Sequence, residues 1–274
     1  MTKVACLQLS PRASFKEAEA EFLPHFRSAL ELGTEFIFLP EYCGGLKSEK
    51  GLLAPPVATE ENHPILQKLL ELANQEKVWI LCGSIAIEGS NELFRNRSFV
   101  INDHGEIVAR YDKIHLFDIK LSDTLEYRES AVVEPGGSGV IAQTCMGALG
   151  LSVCYDLRFP HLYRDLAHQG AGALTVPAAF IKTTGEAHWH VLNRARAIEN
   201  CAFVISPCAV GDIPGGGCSY GHSLIIDPWG KILADGGDEP GVITADIDIE
   251  KSGEMRQKIP SLSHDREYQI SKAV

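Results

Sequence analysis

Residues 150–160 read GLSVCYDLRFP, and within this stretch one kind of structure gives way to another. The apolar and small residues at 150–153 are typical of a buried strand, whereas Pro160 is typical of the first turn of a helix. Cys154 lies between them, at a strand-to-helix turn of the kind that exposes a nucleophile. A thiol near a helix start is also favoured as thiolate by the helix dipole. The alternative is a cysteine that only packs at a strand end.

Strand-like and helical segments alternate along the chain. Apolar residues recur at helical spacing, or follow a proline suited to a first turn, in segments 14–32, 64–76, 160–169 and 186–200. Short β-branched runs separate them, and turn residues in NDHGE (102–106) and DPWGK (227–231) predict two hairpins. This pattern predicts one α/β domain over residues 1–274, with a sheet that is at least partly antiparallel.

Composition excludes several classes of function. The chain has 274 residues and a net charge of −11, which argues against a nucleic-acid-binding protein. No stretch approaches the ~20 apolar residues of a membrane span, and the N-terminal run is too short for a secretory signal. The eight cysteines form no CxxC pair, which favours free thiols in a reducing cytoplasm. We therefore expect a cytoplasmic protein without nucleic-acid or membrane partners.

Two more residues follow predicted strands in the way that Cys154 does. Glu41 comes after the apolar run of EFIFLPEY, and Lys113 comes after the strand-like run that ends in ARYDK. Side chains at strand ends are delivered into crevices, so both are candidates for chemistry. Taken singly, however, such a glutamate is more often a solvated loop acid, and such a lysine is more often a surface charge.

Taken together, these segments are specific. FLPEY with Glu41, YDKIHLFD with Lys113 and GLSVCYDLRFP with Cys154 resemble the Glu–Lys–Cys signature of the nitrilase (carbon–nitrogen hydrolase) superfamily. TGEAHWHVLNRARAIEN (184–200) and YGHSLIIDPWG (220–230) resemble its Nit branch, which holds deaminated glutathione amidases and ω-amidases. The resemblance implies an α/β fold in which mixed sheets form a four-layer α-β-β-α sandwich. It also implies a single hydrolase domain that assembles into a homodimer or a higher homo-oligomer.

The resemblance also implies a mechanism that needs neither a metal nor an organic cofactor. Cys154 would attack an amide carbonyl and form a thioester, with Glu41 as general base and acid. Lys113 and the backbone N–H of Tyr155 would bind the oxyanion. The family has a second glutamate between the lysine and the cysteine. In EYRESAVVEPG that residue is Glu129 by its ES context, with Glu126 as the alternative.

Three further residues are candidates for substrate binding. Arg158 has the fork geometry that binds a carboxylate, but it could equally brace the turn or lie in a dimer interface. Phe180 resembles a position that lines the pocket, and core packing is its alternative. His188 is expected near the active site. His188 and His190 are two residues apart on a predicted helix and point away from each other, so we predict no metal site.

The expected substrate is a small α-keto acid amide, whose terminal amide would be hydrolysed to the acid and ammonia. Deaminated glutathione is the first substrate hypothesis, because the loop GDIPGGGCSYGHS (211–223) resembles that of deaminated glutathione amidases. An ω-amidase acting on 2-oxoglutaramate is the nearest alternative. A catalytically silent binding protein on the same fold is another. A third is a Cys–His hydrolase with His188 or His222 as its base.

Overall fold

Two six-stranded sheets and five helices form the framework in a computed structural model that describes residues 1–49, 51–122 and 125–273. The strands are β1 (Thr2–Gln8), β2 (Phe36–Phe38), β3 (Ser48–Glu49), β4 (Leu52–Leu53), β5 (Trp79–Glu88), β6 (Phe94–Ile101), β7 (Ile107–Asp112), β8 (Asp118–Ser122), β9 (Leu125–Arg128), β10 (Ile141–Thr144), β11 (Gly147–Gly150), β12 (Ala173–Thr175), β13 (Phe203–Ser206), β14 (Val210–Asp212), β15 (Cys218–Tyr220), β16 (Leu224–Ile226), β17 (Ile232–Asp235) and β18 (Gly241–Ile247). The helices are α1 (Phe15–Glu31), α2 (Pro64–Glu76), α3 (Pro160–His168), α4 (Lys182–Asn200) and α5 (Glu250–Lys258).

Both sheets are mixed. The first has the order β18-β1-β2-β5-β6-β7, and the second has the order β10-β11-β12-β13-β16-β17. In the first, β2 runs parallel to β1 and β5, while β18 is antiparallel to β1. The second sheet is also mixed, because β12 runs parallel to β11 and β13, whereas β16 is antiparallel to β13. The two predicted hairpins are present as the antiparallel pairs β6–β7 and β16–β17.

The alternation of side chains along β1 shows how the layers stack. Val4 and Cys6 point into a core shared with the second sheet, whereas Ala5 and Leu7 point into a core shared with α1 and α2. On the far side, α3 packs on β11 and α4 packs on β13. Helices therefore cover the outer face of each sheet, and the inner faces meet. This arrangement is the predicted four-layer α-β-β-α sandwich.

The helices predicted from periodicity are found with one informative difference. Helix α4 begins at Lys182, four residues before the predicted start, and so includes Gly185. A Cβ at Gly185 would lie 2.3 Å from the ring of Tyr220, so glycine at this helical position permits close packing. No helix in the described ranges is both long enough and apolar enough to cross a membrane.

Strand β11 ends earlier than the sequence predicts. It stops at Gly150, so the apolar run continues through Val153 outside any strand. The backbone N–H of Val153 donates to the carboxylate of Asp156 at 2.8 Å instead of to a neighbouring strand. A side chain close in sequence has thus replaced the sheet as the hydrogen-bond partner just before Cys154.

Candidate active site

Cys154 lies at the tip of a sharp turn. Its φ of +50° is in the left-handed region, where a residue with a Cβ is strained by about 1–3 kcal/mol. The chain enters a short 3₁₀ helix at Cys154–Arg158, and α3 follows from Pro160. The N–H of Cys154 donates to the carbonyl of Pro177 at 2.9 Å, which ties the turn to the end of β12. The predicted strand-to-helix elbow is therefore present, with a 3₁₀ turn before the α-helix.

The ammonium of Lys113 lies between two buried carboxylates. Its Nζ donates to Glu41 Oε1 at 3.0 Å, and to Glu129 at 2.9 Å (Oε1) and 2.8 Å (Oε2). The relative exposure of the three residues is only 2–6%. Charges this deep require close opposite charges and satisfied hydrogen bonds. Here three residues distant in sequence meet those requirements for one another.

Other donors hold the two carboxylates in fixed orientations. Glu41 also accepts from the side-chain amide of Asn96 at 2.8 Å (Oε1) and from the N–H of Ala179 at 2.8 Å (Oε2). Glu129 accepts from the N–H of Phe117 at 2.6 Å. Asn96 was missed in the sequence, although its signal is a polar residue on the inward face of the alternating strand FRNRSFVI.

The site favours a protonated cysteine. Burial is the main cause that raises the pKa of the Cys154 thiol well above its ordinary range; the carboxylate of Glu41, hydrogen-bonded to the thiol, and that of Glu129 raise it further. Lys113 opposes this shift without reversing it. Burial lowers the pKa of Lys113, but Glu129 and Glu41 outweigh it, so the net shift is upward. Burial and two carboxylates thus oppose the thiolate that a nearby helix start was expected to favour.

A cavity opens above these groups. Its volume is about 110 Å³. One water molecule needs about 10–15 Å³, so the cavity is several times larger than that. Glu41, Lys113, Glu129 and Cys154 lie in its lining. The remaining lining residues are mostly apolar or aromatic: Tyr42, Leu46, Leu52, Leu53, Phe117, Tyr127, Tyr155, Ala179, Phe180, Ile181 and Ile213, together with Gly51, Arg128 and Thr184. The cavity therefore combines an ionic floor with apolar walls, as small-molecule sites commonly do.

The structure separates the predicted site residues into two groups. Tyr155 and Phe180 line the cavity, and Phe180 also packs on Trp189. Arg158 lies outside the lining, where its guanidinium stacks over the rings of Tyr155 and Phe180. His188 is exposed, and its Nδ1 is 3.2 Å from Arg158 Nη1. Direct substrate contacts by Arg158 and His188 therefore stay a prediction.

The alternative glutamate is placed elsewhere. Glu126 is exposed on β9, where it pairs across the ribbon with Lys120. Glu129, one residue beyond the end of β9, is buried against Lys113. The geometry thus favours Glu129 as the second glutamate.

Asp156 joins the cysteine turn to the lysine segment, and sequence reasoning missed it. Its buried carboxylate accepts from the N–H of Val153 at 2.8 Å and from the hydroxyl of Tyr111 at 2.7 Å. It also accepts from the N–H of His115 at 3.0 Å, and it contacts that ring at Nδ1 at 2.7 Å. Tyr111 and His115 flank Lys113 by two residues on each side. One carboxylate therefore sets the position of Cys154 relative to Lys113.

The histidines singled out as a base or a metal ligand lie away from the cavity. Among the described residues, one trio of metal-ligating types has ligand atoms within 4.8 Å of one another: His190, His222 and Asp235. Asp235 is 3.0 Å from His190 Nε2 and 2.9 Å from His222 Nδ1, and these hydrogen bonds account for the grouping. Neither His188 nor His222 lines the cavity that holds Cys154. The geometry therefore favours Glu41 over a histidine as the base.

Comparison with known proteins decides the family. The sequence pattern of the Carbon-nitrogen hydrolase family matches residues 3–257. The chain belongs to this family. It is 40% identical over 267 residues to a deaminated glutathione amidase of Synechocystis, a match that covers 95% of this chain and 96% of that protein. It is 33% identical over 258 residues to the omega-amidase NIT2 of Homo sapiens, covering 94% and 92% of the two chains.

A solved structure agrees with these sequence matches. The C. elegans NitFhit protein superimposes with a TM-score of 0.87 at 29% identity. The alignment covers 97% of this chain and 65% of that longer one. The predicted superfamily, its Nit branch and the sandwich fold are confirmed, and so is the prediction of a hydrolase that acts on amide carbon–nitrogen bonds.

We expect Asp156→Asn to lower kcat/KM for amide hydrolysis by about 100-fold, because a displacement of order 1 Å between reacting groups costs that much. The asparagine replaces one of the two accepting oxygens with an NH₂ donor, which faces at least one N–H or O–H that now donates to that oxygen. The same change should slow alkylation of Cys154 by iodoacetamide. Asp165→Asn, at an exposed position of α3, is the matched control. A variant with a lowered melting temperature but wild-type kcat/KM would limit Asp156 to a role in stability.

Proposed function

We propose that this protein is a cysteine-dependent amidase that cleaves the amide of a small 2-oxo acid derivative, with deaminated glutathione as preferred substrate. The observation that carries the proposal is the buried Glu41–Lys113–Glu129 group beside the Cys154 thiol, at the floor of a cavity. The relatives named deaminated glutathione amidase support this substrate. The relatives named omega-amidase support 2-oxoglutaramate as the second candidate.

Acylation follows from the protonated state of the thiol. Glu41 accepts the proton from Cys154 as the sulfur attacks the amide carbonyl, and the carbonyl oxygen becomes an oxyanion. The Lys113 ammonium and the backbone N–H of Tyr155 stabilise this charge. Glu41 then gives its proton to the departing nitrogen, the C–N bond breaks, and a thioester on Cys154 remains.

In deacylation, Glu41 again acts first as a base and then as an acid. Glu41 removes a proton from a water that attacks the thioester carbonyl, and the oxyanion again forms beside Lys113. Collapse of the tetrahedral intermediate returns the proton to sulfur and releases the acid. Glu129 keeps its hydrogen bonds to Lys113 throughout, so that the ammonium holds its position.

The two candidate substrates differ in their leaving groups. 2-Oxoglutaramate is a primary amide and releases ammonia, as the sequence-based expectation states. Deaminated glutathione is a secondary amide, so its leaving group is the amine of cysteinylglycine and not ammonia. Both substrates acylate the cysteine with the same 2-oxoglutaryl group, and therefore both release 2-oxoglutarate. This common product makes a direct comparison possible.

We propose further that the protein works in the cytoplasm as a homodimer. Four large apolar side chains are exposed on α4 and on the hairpin β16–β17: Val191, Ile198, Trp229 and Leu233. The hairpin turn packs on α4, since Arg194 donates to the carbonyl of Gly230 at 2.9 Å. Exposed apolar side chains grouped on packed elements commonly mark an interface, and the dimers expected of this family supply a second copy as the partner.

The amidase function is tested by 2-oxoglutarate release from deaminated glutathione and from 2-oxoglutaramate, assayed in parallel. We expect higher kcat/KM for the first, no turnover in Cys154→Ala, and a loss of about 10²–10⁴-fold in Glu41→Gln, the range for a general base. Glu126→Gln, which removes an exposed carboxylate from the same region, should retain wild-type turnover. Activity that survives in Cys154→Ala would contradict the mechanism, and a preference for 2-oxoglutaramate would make the protein an ω-amidase.

The dimer is tested by sedimentation velocity. Ile198→Glu places a charge in the apolar patch and should convert the dimer to a monomer, because an unpaired charge in an interface core is strongly unfavourable. Val108→Glu alters another exposed apolar residue, on β7, and should leave the dimer intact. A wild-type monomer, or a dimer unaffected by Ile198→Glu, would contradict this interface.

A further inference from the structure

The charged side chains that line the cavity differ in whether they have an ionic partner. Four charged residues contribute to the lining: Glu41, Glu129, Lys113 and Arg128. Lys113 pairs with both glutamates, and the proposed mechanism uses its ammonium for the oxyanion. Arg128, at the end of β9, is exposed, and within the described ranges no ion pair or side-chain hydrogen bond engages its guanidinium. It is therefore the one cationic lining residue of the described part with capacity for an anionic ligand.

The nearest acid in the ribbon does not engage this guanidinium. Asp118 is directly opposite Arg128 in the β8–β9 register. Its Oδ1 accepts from the backbone N–H of Ser130 at 2.9 Å. Asp118 thus occupies the cross-strand position from which an acid commonly pairs with an arginine, but its carboxylate holds the backbone next to Glu129.

The surroundings make a cation necessary if the substrate is an anion. The floor carries two carboxylates and one ammonium, and the chain as a whole has a net charge of −11. Apart from the charged floor and Arg128, the cavity wall is mostly apolar, with Leu52, Leu53 and Phe117 among its members. An anionic group that enters this space loses water and is repelled by the floor unless a fixed positive charge receives it.

We propose that Arg128 forms a carboxylate-binding subsite, so that the substrates are amides that also carry a carboxylate away from the scissile bond. A guanidinium binds a carboxylate through two parallel N–H···O bonds, which fixes orientation as well as charge. The inference rests on the proposed amidase function and assigns a residue to the carboxylate that its proposed substrates carry. It also moves the carboxylate-binding role from Arg158, which stacks on Tyr155 and Phe180 outside the lining, to Arg128.

Two carboxylates satisfy this chemistry. One belongs to the 2-oxo acid on the acyl side and occurs in both candidate substrates. The other belongs to the glycine of deaminated glutathione, on the leaving-group side. Comparing 2-oxoglutaramate with 4-oxopentanamide, which keeps the ketone and lacks only the carboxylate, varies the first alone. Comparing deaminated glutathione with its glycinamide form varies the second alone.

The test measures KM and kcat of Arg128→Gln for these four amides. For the substrate whose carboxylate Arg128 binds, KM should rise about tenfold or more with kcat changed less than threefold, since charge-assisted hydrogen bonds are the stronger ones. KM for the partner that lacks this carboxylate should not change. Arg128→Lys should fall between wild type and Arg128→Gln. Arg27→Gln, on the exposed side of α1, changes the net charge equally and should have no effect.

A binding measurement keeps the subsite separate from the catalytic proposal. In the Cys154→Ala background, calorimetry should show that Arg128→Gln weakens binding of the carboxylate-bearing amide of one pair about tenfold, while binding of the partner that lacks that carboxylate is unchanged. This result supports the subsite even if the wild-type enzyme turns over none of the four amides, which would overturn only the amidase proposal. Equal effects on the two members of both pairs, or no effect on any of the four amides, would overturn the subsite.

Discussion

The ammonium of Lys113 between the carboxylates of Glu41 and Glu129 is the interaction on which the rest of the site depends. Three charges are almost fully buried, and each is stable there because the others compensate it. The three residues come from the ends of β2, β7 and β9, so the group forms only when both the first sheet and the β8–β9 ribbon are in place. Fold and site are therefore stabilised together.

The same group determines the state of the nucleophile. Two carboxylates and burial hold the proton on Cys154, while the lysine alone is too weak to release it. In the proposed mechanism, the resting thiol is therefore protonated, and Glu41 takes its proton only as an amide carbonyl arrives. The left-handed backbone at Cys154 is a cost of presenting the sulfur to the cavity, and the hydrogen bonds of Asp156 hold that turn in place.

Much of the framework could be predicted from local patterns. The helical periodicity of 14–32 and 64–76 and the turn residues near Gly105 and Gly230 each have a local physical cause. The order of strands and the stacking of two sheets have no such local signal, and the sandwich came from the family resemblance. One domain over 1–274 stays a prediction.

The site residues likewise divide into those with a signal in the sequence and those without one. Glu41, Lys113 and Cys154 were found because each follows a strand in a recognisable segment. Asn96, Asp156 and Arg128 were missed because their roles arise from contacts between segments far apart in sequence. Arg158 was singled out as a candidate four residues after Cys154. Its guanidinium lies over aromatic rings outside the cavity lining, and its contact with substrate stays a prediction.

A protonated thiol in the resting enzyme is tested most directly by the ultraviolet absorbance of thiolate as a function of pH. The titration of Cys154 is the difference between the wild-type protein and Cys154→Ala. We predict a single thiolate transition well above the ordinary range of a cysteine, so that no thiolate is detected near pH 7. A transition near or below neutrality would show a preformed thiolate and would contradict the role of Glu41 as the base that activates Cys154.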